Sequence, residues 1–213
     1  MNILIVAATH IESKLIINNL DLKKDSKNLF SNQELNTDLL VTGIGIPATM
    51  YSVLTQLATK KYELLINIGI AGAFLGKAQI GETFNVSSDY FGDIGFYRND
   101  VFTSIFNTKI SQNFDEIFDN GIIKNTSQIP EYFNKLQKTN AVTVNIPEKS
   151  EIKDVGLESM EGAAFMMIAE LKKLNHIQIR SVSNIVGITP RNDWQIETAV
   201  GNYSQIITKY FNR

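Results

Sequence analysis

The sequence contains no cysteine, and its only histidines are His10 and His176. The absence of cysteine excludes disulfide bonds and thiolate metal or redox chemistry. Two histidines argue against a histidine-rich metal site, so we expect neither a metal ion nor a redox cofactor. Runs of basic residues are also absent, and the net charge is −2. The composition therefore gives no support for nucleic acid as a partner.

Long hydrophobic runs are missing as well. No apolar stretch approaches the length of a membrane span, and the apolar run 3–8 is too short to serve as a secretory signal. Apolar residues make up 44% of the chain and charged residues 20%, which is typical of globular proteins. We therefore expect a cytoplasmic protein without a membrane partner. A length of 213 residues favours one domain, 1–213, over two small ones.

Short β-prone runs alternate with helical patterns along most of the chain. The predicted strands are 3–6, 38–42, 63–68, 80–90, 141–145 and 177–183. The predicted helices are 11–20, 47–60, 161–174 and 194–211. The polar segment 97–140 gives no clear pattern. This alternation predicts an α/β fold with a mainly parallel or mixed central sheet flanked by helices, in which ligands bind beyond the carboxyl ends of the strands.

Two glycine-containing segments follow predicted strands. Residues 43–48 (GIGIPA) fit the G-x-G-x-x-A pattern of a dinucleotide-binding turn, but the acid at the expected spacing, Glu63, begins a strand. A tight strand-to-helix turn, or a loop that approaches another ligand, is the alternative. Residues 69–73 (GIAGA) are expected to form a loop of small residues at a strand end. Such a loop either makes room for a flat base or sugar, or allows tight packing.

Four polar side chains lie next to apolar segments or within them. Glu12 follows the first strand and Glu161 precedes an apolar helix, so each either complements a helix dipole or binds a ligand. Arg180 lies inside the apolar strand IQIRSVS, where a guanidinium requires a carboxylate or an anionic ligand. Asn184 ends the same strand, either as a turn residue or as a polar group in a cleft.

The ordered set of motifs resembles the purine nucleoside phosphorylase/nucleosidase superfamily over nearly the whole chain. The matching segments are the first strand leading to Glu12, VTGIGIPAT (41–49), NIGIAGAF (67–74), SMEGAA (159–164) and IRSVSN (179–184). The most similar branch contains 5′-methylthioadenosine/S-adenosylhomocysteine nucleosidases and futalosine hydrolases. The resemblance implies a nucleoside phosphorylase-like fold, a purine-nucleoside substrate, a homodimer, and no metal or cofactor.

The resemblance also implies roles for individual residues. Met160 would pack on the ribose, and Glu161 would accept hydrogen bonds from its 2′- and 3′-hydroxyls. Glu12 would position and deprotonate the attacking water, with Arg180 near that water. Asn184 would contact the purine at N7. The other residues expected to line the base are Ala71, Gly72, Val144 and Asn145.

Two positions depart from the pattern of the relatives. Asn184 stands where the adenine-specific nucleosidases have aspartate. Its amide NH₂ suits N7 and O6 of a 6-oxopurine, which are both acceptors, but it cannot supply a proton. The resemblance therefore favours futalosine hydrolase, which releases hypoxanthine in the alternative menaquinone pathway. Ile70 stands where many relatives have a serine that touches phosphate or water, which counts against a phosphorylase.

Three alternatives to a futalosine hydrolase stay open at this point. They are a methylthioadenosine/S-adenosylhomocysteine nucleosidase that tolerates Asn184, a 6-oxopurine nucleoside phosphorylase, and a nucleoside-binding module without catalysis. Futalosine carries an aromatic carboxylate at its 5′ end. Lys77, Arg98 and Arg191 are candidates to contact it, and the sequence does not select among them.

Overall fold

The computed structural model describes residues 1–108, 116–147 and 155–213. The strands are β1 (Ile3–Ala7), β2 (Lys23–Lys24), β3 (Leu29–Asn32), β4 (Thr37–Val41), β5 (Leu64–Ala73), β6 (Thr83–Asp89), β7 (Gly95–Arg98), β8 (Val101–Ser104), β9 (Phe118–Asp119), β10 (Ile122–Lys124), β11 (Gln137–Thr143), β12 (Leu157–Ser159) and β13 (Asn175–Ile185). The α-helices are α1 (His10–Asn19), α2 (Ile46–Thr59), α3 (Gly162–Leu171) and α4 (Ile196–Phe211). Within these residues, no helix is long and apolar enough to cross a membrane.

One mixed sheet forms the centre of the molecule. The strand order is β2-β3-β4-β1-β5-β12-β11-β6-β10-β9, and β13 pairs with both β5 and β6. The strands β4, β1, β5 and β13 are parallel to one another, whereas β13 runs antiparallel to β6. The expected α/β fold with a mainly parallel or mixed sheet flanked by helices is confirmed.

The central strands are apolar because both faces of the sheet are covered by helices. Along β1 the side chains alternate between two core clusters, with Ile3 and Ile5 on one face and Leu4 and Val6 on the other. The first cluster also contains buried residues of α1 and α4, and the second contains buried residues of α2 and α3. Packing on both faces holds the parallel strands in place. Their carboxyl ends meet at one edge of the sheet.

The structure corrects two of the predicted segments. Residues 69–73 are not a loop, because they continue β5, which pairs with β13 along this stretch and with β12 at its end. The neighbouring strands satisfy backbone groups that a loop would expose to solvent. The last helix begins at Ile196, so that Trp194, which was predicted to be its first residue, lies in the connection before it.

Candidate active site

A cavity of about 780 Å³ opens beyond the carboxyl ends of β1, β5 and β13. This is the size of cavity that holds a drug-sized ligand. It is lined by Ala8, Thr9, Ile11, Glu12, Ile44, Ile70, Ala71, Gly72, Pro147, Glu158, Ser159, Met160, Glu161, Ser183, Asn184, Gly187, Ile188, Thr189, Pro190, Arg191, Trp194 and Ile196. Six of the nine predicted site residues are in this lining, although they come from four separate parts of the chain.

Glu12 is held in place from both sides of its carboxylate. Thr9 caps α1, accepting a hydrogen bond from the Glu12 backbone N–H at 3.3 Å and donating one to its Oε2 at 2.7 Å. The backbone N–H of Ile70 donates to Oε1 at 3.2 Å. Glu12 is only 7% exposed. Its carboxylate therefore has a defined orientation at the cavity wall, which a solvated helix-dipole residue would not have.

Arg180 lies beside Glu12 but behind the cavity wall. Its side chain is 1% exposed, and its Nη2 donates to Oδ1 of Asn67 at 2.5 Å. A Cβ at Gly69 would lie 2.9 Å from Glu12 Oε1 and 3.0 Å from Arg180 Nη1. Glycine at this position therefore lets the carboxylate and the guanidinium approach the same point of β5. The structure places Arg180 as a buried neighbour of Glu12, outside the lining of the cavity.

Glu161 occupies the N-cap position of α3, yet its side chain does not cap that helix. The carboxylate instead accepts a hydrogen bond from the Gly45 backbone N–H, at 2.8 Å from Oε1. Gly43 and Gly45 both have φ near +90°, so this turn needs glycine to present that N–H. Burial raises the pKa of Glu161, and the positive charge of Arg180 partly opposes this rise. The turn serves Glu161 and is not arranged as a pyrophosphate site.

Glu63, the acid that the dinucleotide hypothesis pairs with this turn, has a different role. Glu63 accepts a hydrogen bond from the Asn2 backbone N–H at 2.7 Å, at the start of β5. The amino ends of the parallel strands are at the sheet edge opposite to the cavity. Glu63 therefore stabilises the N-terminus of the chain, and the dinucleotide interpretation of residues 43–48 is wrong.

Asn184 reaches the cavity through an irregularity in β13. The register between β13 and β5 shifts between Val182 and Asn184, and such bulges redirect side chains. The Ser183 hydroxyl donates to Asn184 Oδ1 at 2.8 Å. A Cβ at Gly72 would lie 3.0 Å from Asn184 Nδ2. The carbonyl oxygen of the amide thus already accepts one hydrogen bond from Ser183, and its NH₂ group lies beside Gly72, which lines the cavity.

Two of the residues predicted to line the base lie outside the cavity lining. Val144 is fully buried and packs with Val142 and Val155. Asn145 is bound to Asp93, with its backbone N–H 2.5 Å from Oδ2 and its Nδ2 3.2 Å from Oδ1. Their contact with a base stays a prediction. Ala71, Gly72 and Met160 do line the cavity.

Sequence reasoning assigned no role to several residues that shape the site. Thr9 could have been found, because a threonine three residues before a glutamate at a helix start is the signature of a capping box. Ser183 and Trp194 gave no comparable signal, since their roles depend on the bulge in β13 and on the connection to α4. The described residues contain no group of three or more histidine, aspartate or glutamate side chains placed to hold a metal ion.

Solved structures with the same fold are 5′-methylthioadenosine nucleosidases and their relatives. No protein-family model and no curated protein matches the sequence. The apo structure of Arabidopsis thaliana 5′-methylthioadenosine nucleosidase matches with a TM-score of 0.76 and 21% identity, covering 99% of this chain and 96% of that one. A 5′-methylthioadenosine/S-adenosylhomocysteine nucleosidase from Colwellia psychrerythraea, in complex with adenine, matches with a TM-score of 0.71 and 17% identity over 100% and 95%.

The alignment with a third structure covers both chains almost completely. A putative 5′-methylthioadenosine/S-adenosylhomocysteine nucleosidase from Francisella philomiragia matches with a TM-score of 0.76 and 14% identity, over 100% of this chain and 99% of that one. At such low identity the likeness concerns the course of the backbone. The chain therefore shares the fold of these nucleosidase structures over nearly its whole length.

Proposed function

We propose that the protein is a purine nucleosidase, which hydrolyses the N-glycosidic bond between a purine base and ribose. The proposal is supported by the cavity, which brings the buried Glu12 and the half-buried Glu161 from distant segments to the same space as an amide at the end of β13. A nucleosidase needs a carboxylate near the attacking water, a group that binds the ribose, and a polar contact to the leaving base. Glu12, Glu161 and Asn184 match these three needs in that order.

The proposed chemistry follows from the charge that develops on the sugar. Cleavage of the glycosidic bond passes through an oxocarbenium-like ribose, which nearby carboxylates stabilise electrostatically. Glu12 accepts a proton from the attacking water, and Glu161 accepts hydrogen bonds from the 2′- and 3′-hydroxyls. Both acids act as carboxylates in this scheme. Arg180 acts from behind the wall, where its positive charge favours the ionised form of Glu161.

We infer that the preferred base is a 6-oxopurine, and that the substrate is futalosine. The observation that carries this inference is the hydrogen bond from Ser183 to Asn184 Oδ1, which leaves the amide NH₂ to face the ligand. Two N–H donors pair with N7 and O6 of hypoxanthine, whereas the 6-amino group of adenine would meet another donor. Because Asn184 cannot give up a proton, we expect water to protonate the leaving base.

A second candidate function is favoured by the structural neighbours, whose names specify methylthioadenosine and S-adenosylhomocysteine. It would release adenine instead of hypoxanthine. The deciding experiment is chromatography of the purified protein after incubation with futalosine, and separately with 5′-methylthioadenosine, in phosphate-free buffer.

Each result of this assay assigns one function. Hypoxanthine from futalosine alone supports the proposal. Adenine from methylthioadenosine contradicts the inference drawn from Asn184 and supports the second candidate. Base release that requires added phosphate identifies a phosphorylase. No product with or without phosphate, together with ligand binding in calorimetry, identifies a binding protein and contradicts catalysis.

A further inference from the structure

The cavity has an inner and an outer half that differ in character. Its inner half contains the buried or half-buried residues around Glu12, Glu161 and Asn184. The outer half is lined by exposed or half-buried side chains, which are Ile11, Ile44, Pro147, Ile188, Pro190, Arg191 and Trp194. In the proposed function the base and the ribose use the inner half. The outer half is therefore available to a group attached beyond the ribose.

The connection that forms much of this outer half is held at both ends. The Gln195 backbone N–H donates to Ser183 O at 2.8 Å, and the Ile185 backbone N–H donates to Thr189 Oγ1 at 3.0 Å. The Trp194 indole N–H donates to Thr189 O at 3.2 Å, which closes the connection on itself. Residues 191–193 form a short 3-10 helix between these bonds. Arg191 and Trp194 are thus presented on a defined backbone at the end of β13.

Charge divides the cavity in the same way. Its acidic lining residues are Glu12, Glu158 and Glu161, and Arg191 is the one basic residue of the lining, within the part of the chain that the structure describes. Over the same residues, Arg191 forms no ion pair with a carboxylate. A guanidinium binds a carboxylate through two parallel N–H donors. Trp194 and Pro190, which belong to the same connection, provide flat apolar surface of the kind against which an aromatic ring packs.

We propose that the outer half is a subsite for an aromatic 5′ substituent that carries a carboxylate, and that Arg191 binds this carboxylate. The subsite rests on the proposed function, because it takes the ribose to be held by Glu161. The other two cations considered from the sequence do not line the cavity. Arg98 ends the exposed strand β7, and Lys77 follows β5 and already has an interaction partner.

The test compares an anionic substrate with its neutral form. We would measure hypoxanthine release from futalosine and from futalosine methyl ester, with the wild type, Arg191→Met and Arg98→Met. The last variant removes an arginine from an exposed position outside the cavity. We expect Arg191→Met to lower kcat/KM for futalosine by about tenfold or more, mainly through KM, because one charge-assisted contact is lost. The ester should be affected much less, and Arg98→Met should match the wild type for both.

The outcomes separate this subsite from the proposed function. If the wild type hydrolyses futalosine and its ester equally well, and Arg191→Met does the same, the subsite is wrong while the nucleosidase proposal stands. If the wild type releases no base from futalosine, the proposed function fails, and calorimetric binding of the same two compounds decides about the subsite. Tighter binding of futalosine than of its ester, lost in Arg191→Met, would support it. Equal binding or none would overturn it.

Discussion

At the scale of single residues, the two glutamates of the cavity carry the proposed chemistry. Glu12→Gln and Glu161→Gln keep the size of each side chain but remove the negative charge that the oxocarbenium-like sugar needs. We expect kcat to fall by about 10²–10⁴-fold in Glu12→Gln, the range typical of a lost general base. Glu161→Gln should lose both substrate affinity and turnover. Steady-state kinetics of hypoxanthine release would measure both effects.

The control for these variants is Glu34→Gln, which changes an exposed glutamate outside the cavity. Glu34→Gln should unfold at the temperature of the wild type, and both cavity variants should remain folded at the temperature of the assay. Turnover like that of the wild type in either cavity variant would contradict the role given to that residue. Because burial raises the pKa of Glu161, kcat/KM should also begin to fall at a pH above the ordinary glutamate range as the solution is acidified.

The proposed preference for a 6-oxopurine base depends on Asn184. Asn184→Asp provides a carboxyl group that, when protonated, donates to N7 and accepts from a 6-amino group. We expect the ratio of adenine release to hypoxanthine release to rise by roughly tenfold or more, since one buried polar mismatch costs about 1–3 kcal/mol. Competition between methylthioadenosine and futalosine, followed by chromatography of the two bases, would measure this ratio. An unchanged ratio would mean that another residue selects the base.

At the scale of elements, the start of α3 depends on a buried carboxylate that lies outside the cavity. Asp89 accepts hydrogen bonds from Thr143 Oγ1 and Gln178 Nε2, both at 3.0 Å, and Thr143 in turn accepts one from the Ala163 backbone N–H at 2.7 Å. A Cβ at Gly162 would lie 2.2 Å from Asp89 Oδ2. The glycine of the SMEGAA segment therefore lets the helix approach this carboxylate directly after Glu161.

This carboxylate should make the stability of the protein depend on pH. Burial raises the pKa of Asp89 from 3.8 to about 6. The folded state therefore holds this proton more tightly than the unfolded state, and the contribution of Asp89 to stability is lost as pH rises through about 6. In Asp89→Asn this contribution is absent. The buried Gln178 Oε1 has no partner within the described residues, so a rotated Gln178 amide can accept from the new NH₂.

Urea unfolding at about pH 4 and about pH 7 would measure the effect. Relative to Asp89→Asn, the wild type should lose on the order of 2 kcal/mol of unfolding free energy between the two values. Thr143→Ser, which keeps the hydroxyl that links Asp89 to α3, serves as the control and should follow the wild type. A constant difference between the wild type and Asp89→Asn would show that the buried carboxylate does not titrate in this range.

The secondary-structure elements differ in how well the sequence predicted them. The strand β1 and the helices α1 to α4 were predictable, because their apolar periods are long enough to identify. Residues 69–73 looked like a loop because of their glycines, yet in the structure glycine there gives Arg180 and Asn184 room to approach β5. The segment 97–140 gave no pattern because β7 to β10 are two to four residues long. Strands this short form because they pair with neighbouring strands, and their own residues do not indicate that pairing.

The candidate site shows the same division. Their positions at the ends of apolar segments made Glu12, Glu161 and Asn184 candidates, and only the family resemblance gave them roles. The structure brings all three to one cavity. The hydrogen bond from Gly45 to Glu161 joins residues 116 positions apart, and no local pattern indicates such a contact. The position of Arg180 behind the wall was also hidden, because a strand pattern does not state which neighbour a side chain meets.

At the scale of the whole molecule, a homodimer is the remaining prediction. Tyr51 is 75% exposed and Leu54 40% exposed on the same face of α2. Exposed apolar side chains that share one face of a helix mark a candidate interaction site. We propose that this surface pairs with a second copy of the chain. Light scattering during gel filtration should therefore give twice the chain mass of 23.9 kDa.

A charge placed at this surface should separate the two copies. Tyr51→Glu puts a carboxylate on the exposed face of α2, where burial against a partner would be costly. The matched control is Tyr97→Glu, which makes the same change at an exposed tyrosine of β7. We expect the chain mass for Tyr51→Glu and the dimer mass for Tyr97→Glu. A monomeric wild type, or a dimeric Tyr51→Glu, would contradict this assignment of the interface.

The connection between β13 and α4 contains the only tryptophan of the chain. Trp194 is half-buried, lines the outer half of the cavity, and is tied through its indole N–H to Thr189. Indole emission changes with the polarity around the ring, and Trp194 is the single source of indole emission in this protein. A molecule that enters the cavity mouth therefore alters the whole tryptophan fluorescence of the sample. The protein carries its own optical reporter of occupancy, readable on the unmodified chain and on a millisecond scale in a stopped-flow instrument.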